Sequence, residues 1–106
     1  MTTGADKGAM SKLDVSGNYG YTRGYGKNVS FDFIRPIASM LKVNITITEL
    51  NIANSSLDAK AVGILAPALE DNRALSKLDI HSNDTGDAKK TEIRYICHFK
   101  SITCLL

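Results

Sequence analysis

Three segments of this chain repeat one pattern: MSKLDVSGN at 10–18, ITELNIANS at 47–55 and LSKLDIHSN at 75–83. Each has apolar residues at its first, fourth and sixth positions: Met10, Leu13 and Val15; Ile47, Leu50 and Ile52; Leu75, Leu78 and Ile80. Asn18 and Asn83 close the outer copies at the ninth position, where the middle copy has Ser55. Such a unit cannot bury its apolar face alone, so each copy must pack on the next. In LDV, LNI and LDI apolar and polar residues alternate, the signature of a strand with one buried face.

The copies start 37 and 28 residues apart. The segments that precede the second and third copies still align. Ile34 falls with Val62, Ile37 with Leu65, Ala38 with Ala66, Leu41 with Leu69 and Asn44 with Asn72. Apolar spacings of three and four predict a helix in each return segment. The nine extra residues therefore follow Asn18, in an insertion loop at 19–30. Asp58 is placed to cap the second helix. The first helix has two starts open to it: Ser30 as cap, or Pro36 at the first helical position. Pro67 should kink or shorten the second helix. Strands joined through helices imply right-handed parallel crossovers.

The pattern L-x-x-L-x-L-x-x-N with a helix after it, at a period near 28, resembles the leucine-rich repeat family in its ribonuclease-inhibitor-like form. The likeness covers about residues 10–87. It implies an α/β fold: a short, curved, right-handed solenoid of strand–helix repeats with its parallel strands on the concave face. It also implies a non-catalytic scaffold that binds a protein partner, whose identity the sequence does not give.

On that arrangement the polar strand positions face outward. They are Lys12, Asp14 and Ser16; Glu49, Asn51 and Ala53; Lys77, Asp79 and His81. Cross-strand rows should read Lys12–Glu49–Lys77 and Asp14–Asn51–Asp79. Such rows either stabilise the sheet by about 0.2–1 kcal/mol per pair or recognise a partner, the usual use of this face in repeat proteins. Three strands of this length offer on the order of 150 Å² of sheet, far below the roughly 800 Å² per partner of a stable interface. The insertion adds Tyr19, Tyr21, Arg23 and Tyr25 among glycines. The insertion is either a flexible surface loop without a ligand or, because tyrosine and arginine are favoured at protein interfaces, an extension of the binding surface.

Other chemistry is poorly supported. A net charge of +2 is too small to point to nucleic acid or an anionic membrane. Cys97, His98 and Cys104 lack a fourth ligand and zinc-like spacing, so neither a metal nor a cofactor is expected. Neither histidine has an implied nucleophile, so no enzyme is expected. MTTGADKGAM has no apolar core, no run approaches a membrane span, and two cysteines make no disulfide framework. The expected setting is cytoplasmic.

Residues 1–9 read as a flexible leader to a solenoid at 10–97, and 98–106 as an apolar tail. Lys90 and Arg94 stand where the preceding repeat has Val62 and Ala66, and HFKSITCLL matches neither another repeat nor a polar cap. With about two and a half to three repeats, the chain reads as a fragment of a longer array, with a purely structural role as the alternative function. An uncapped apolar end would be open to self-association; alternatively the tail folds back over that end as a cap.

Overall fold

The computed structural model describes residues 11–17 and 29–106, with side chains from residue 33 in the first helix. Strands and helices alternate: β1 Lys12–Asp14, α1 Val29–Val43, β2 Glu49–Asn51, α2 Ala59–Asp71, β3 Lys77–Asp79, α3 Asp87–Lys100 and β4 Thr103–Leu105. The strands form one parallel sheet in the order β1-β2-β3-β4. This is a curved strand–helix solenoid of the leucine-rich-repeat type.

Each strand is short, but its pairing continues at both ends. The N–H groups of Ser76 and Lys77 both donate to Thr48 O, and Thr103 N–H donates to Ser76 O. Beyond the strands, Val15 N–H meets Asn51 O, Ile52 N–H meets Asp79 O and Ile80 N–H meets Leu105 O. The alternation read from the sequence is realised: Leu50 and Leu78 are buried while their polar neighbours are not. Ile34, Ile37, Ala38 and Leu41 of α1, and Val62, Leu65, Ala66 and Leu69 of α2, join the same core.

The first three rungs turn the same way after their strands. Gly17, Asn54 and Ser82 occupy the eighth position of the three copies, and all have positive φ, at 71°, 52° and 59°. Glycine takes that conformation without penalty and asparagine tolerates it, whereas serine is strained there.

The helix starts differ from expectation. α1 begins at Val29, so Ser30 is inside the helix and Pro36 is well beyond its first position. α2 starts where predicted, with Asp58 Oδ1 accepting from Ala61 N–H at 2.9 Å. Neither Pro36 nor Pro67 ends its helix. Both lie on the exposed side, where a carbonyl that loses its helical partner can bond water instead.

The 98–106 tail requires correction. His98–Lys100 complete α3, and Thr103–Leu105 form β4, paired in register with β3: Leu78 opposite Cys104 and Asp79 opposite Leu105. Ile102 is buried, and Cys104 and Leu106 pack against the core. The solenoid therefore extends past residue 97 rather than releasing a tail there. Lys90 and Arg94 do lie at the positions of Val62 and Ala66, but Lys90 is half-buried and Arg94 exposed. Glu70 of α2 shares a groove with Ile96 and Lys100. Helical geometry then turns Lys90 and Arg94 away from α2, where their charges remain in contact with water.

The leader at 1–9, together with Met10 and Asn18, lies outside the described residues.

Candidate functional site

Strand register brings the outward polar residues together. Lys12 pairs with Glu49 and Glu49 with Lys77; Asp14 pairs with Asn51 and Asn51 with Asp79. Both predicted rows are therefore present, and they line a shallow depression of about 140 Å³.

The first row alternates in sign. Lys12 Nζ lies 3.9 Å from Glu49 Oε2, with both side chains substantially exposed. Such a pair contributes little stability, and both charges remain in contact with water.

The second row is committed to the backbone. Asp14 Oδ1 accepts from Ser16 N–H at 2.9 Å, Asn51 Oδ1 from Ala53 N–H at 3.0 Å and Asp79 Oδ1 from His81 N–H at 3.2 Å. Each is a turn in which the side chain satisfies the N–H two residues on. The third position continues the pattern. Ser16 Oγ donates to Asp14 Oδ1 at 2.6 Å, and His81 Nδ1 meets Asp79 Oδ1 at 2.5 Å. The Ser16 hydroxyl, then its N–H, holds the Asp14 carboxyl below the usual carboxylate range. Sequence reasoning assigned these acids to the outer surface but missed their turn role. The signal was an Asx residue at the fifth position of each copy, Asp14, Asn51 and Asp79.

Asparagine ladders hold this face in shape. Buried Asn83 accepts at Oδ1 from the N–H groups of Ser55 and Leu57, at 2.9 and 3.0 Å. Its Nδ2 donates to Ile52 O and Ile80 O, each at 3.0 Å. Ser55 keeps its position in the ladder but turns inward, its Oγ donating to Ala53 O at 3.0 Å. A second ladder runs along the other end of the strands. Asn72 donates to Leu41 O at 2.7 Å and accepts from Ala74 and Leu75 N–H. Where the next asparagine would stand, Lys100 reaches back to Glu70 O at 2.7 Å.

Tyr19, Tyr21, Arg23 and Tyr25 lie outside the described residues. The structure adds an aromatic pair that the sequence reading passed over. Tyr95 and Phe99 on α3 are 65% and 71% exposed, edge to face at 5.0 Å. The i,i+4 spacing opposite Ile93 and Cys97 was its signal. Among the described residues, no group of three or more His, Cys, Asp or Glu side chains could hold a metal ion. No helix among them is long and apolar enough to cross a membrane.

No protein-family model and no curated protein sequence matches the chain. Among solved structures it is similar to Leiomodin-1 Actin-Binding Site 2, at 18% identity and a TM-score of 0.72. The match covers 91% of this chain and 51% of that one, so the chain spans about half the length of the structure it resembles. At this identity the likeness establishes the fold: a leucine-rich-repeat-like solenoid.

Proposed function

We propose that the chain is a non-catalytic scaffold of the ribonuclease-inhibitor-like repeat form that binds a protein through its strand face. The carrying observation is the sign-alternating row Lys12–Glu49–Lys77, whose charges lie at the surface beside a row already satisfied by the backbone. The intact 28-residue offset between Glu49 and Lys77 supports the repeat form. Lys12, Glu49, Lys77 and the exposed edge of His81 would contact the partner. Asp14, Asn51 and Asp79 would mainly hold the surface in shape, with Ser16 fixing Asp14. The loop residues Tyr19, Tyr21, Arg23 and Tyr25 would supply apolar area that the strand face lacks.

Actin is the first partner to test, because the similar solenoid is described as an actin-binding site. Co-sedimentation with filamentous actin and titration against monomeric actin address both forms. Binding is expected to weaken about tenfold or more when Lys12 and Lys77 are both changed to Glu, because like charges oppose a matched interface. Binding that is unaffected by this double change and by Glu49→Lys would exclude the strand face. Absence of binding to either form of actin would remove actin as the partner.

A further inference from the structure

The chain's two cysteines, Cys97 and Cys104, take no part in the strand face. Cys97 lies on the inner side of α3 and is 2% exposed; Cys104 is central in β4 and half-buried against the same core. A tight turn connects them. Ser101 adopts a left-handed conformation, its N–H donates to His98 O, and Ile102 N–H donates to Cys97 O at 2.8 Å. This pair of bonds is a Schellman ending, which folds the chain back against the last helical turn. It folds β4 back against the end of α3, so that Cys104 packs on the core cluster that contains Cys97.

We propose that Cys97 and Cys104 form a reversible intramolecular disulfide, made by exchange with a small disulfide such as glutathione disulfide, that clips β4 to α3. Cys104 is the accessible entry point and Cys97 the screened resolving thiol. In the first exchange Cys104 gives its proton to solvent, and its sulfur attacks one sulfur of glutathione disulfide. That S–S bond breaks, and one glutathione leaves as a thiolate that takes up a proton. In the second, Cys97 loses its proton to solvent and attacks Cys104 Sγ. The mixed disulfide breaks, and the second glutathione leaves and is protonated. Two cysteine thiols are oxidised and one glutathione disulfide is reduced to two thiols.

Access, not acidity, sets this division. A donor thiol at Cys104 holds Cys97 below the usual thiol range and is itself raised above it, and burial raises Cys104 further. Arg94 on α3 favours the Cys104 thiolate, whereas Asp79 on β3 opposes it. Entry through Cys104 is therefore the slow exchange. Closure would fasten a strand otherwise held by a few ladder bonds, among them Thr103 N–H to Ser76 O and Ile80 N–H to Leu105 O.

The test incubates the intact chain with glutathione disulfide or with dithiothreitol, followed by intact mass, non-reducing peptide mapping and amide hydrogen exchange. The expected product is a monomer lighter by two hydrogen atoms, with the Cys97 and Cys104 peptides joined. Exchange at 102–106 should slow about tenfold or more relative to the reduced chain. Cys97→Ser should stop at a mixed glutathione disulfide on Cys104, and Cys104→Ser should leave Cys97 unmodified. Should Cys97→Ser fail to fold by circular dichroism, Cys104→Ser and the native chain carry the test. A persistent mixed disulfide on the native chain, a cross-link between chains only, or two thiols that remain open to alkylation would overturn the proposal.

Discussion

Asn83 shows how much structure one side chain can hold. It bonds backbone groups from both its own rung and the one before: Ser55 and Leu57 N–H, and Ile52, Ile80 and His81 carbonyls. Asn83→Ala would leave several of these buried groups without a partner. A loss of about 2–4 kcal/mol is expected, read from the midpoint of urea unfolding. Asp14 gives a second test at this scale. Its carboxyl is held low chiefly by the Ser16 hydroxyl, so its folded pKa lies below its unfolded one. Any stability it contributes is present above the unfolded pKa and lost as pH falls through the folded value. Ser16→Ala removes the hydroxyl donor and keeps the backbone one. The Asp14 titration, followed by NMR, should move upward toward the usual carboxylate range; an unchanged midpoint would deny the hydroxyl its role.

The repeated elements were legible in the sequence wherever burial imposed a period. Leu50 with Ile52, and Leu78 with Ile80, marked strands; Val62, Leu65, Ala66 and Leu69 marked a helix. The failures came where the period was interrupted. β4 keeps the alternation in Ile102, Cys104 and Leu106. It has only one residue between its first two apolar positions, where Leu75 and Leu78 have two, and it lacks the Asp and Asn of the other copies. The start of α1 was read from capping chemistry, which is a local signal that the core can override. At the candidate site, strand alternation placed the polar rows correctly, but it carries no information about which oxygen turns back to its own backbone. The two prolines show a similar limit. Pro67 sits inside α2 with the helix continuing to Asp71, so its missing N–H costs stability without ending the helix. Pro67→Ala restores that donor on an exposed face. It is expected to raise stability by about 1 kcal/mol or more, because the helical gain exceeds the added freedom of the unfolded chain. Thermal unfolding followed by circular dichroism reads the change; a lower transition temperature would mean that the proline ring contributes packing.

At the scale of the molecule, stability in a repeat protein is close to a sum of units and the interfaces between neighbours. A small chain therefore depends on every interface, including the last. Ile102 reaches the core from the turn between α3 and β4 and is 6% exposed, whereas Leu105, three residues later on β4's outward side, is 42% exposed. If β4 is an integral rung, these two apolar residues must differ sharply. Ile102→Ala would empty part of the core shared with Ile96 and Cys97. A loss of about 2–4 kcal/mol is expected. Leu105→Ala removes a side chain on the solvent side of the strand and should cost less, no more than about 1 kcal/mol. The same β4 main-chain bonds remain in both variants, so the contrast isolates side-chain burial. Two neutral substitutions would return 98–106 to the status of an unattached tail. A large loss at Ile102 alone would place it among the units that hold the solenoid together, and would make the thiol pair beside it a lock on a strand the rest of the fold relies on.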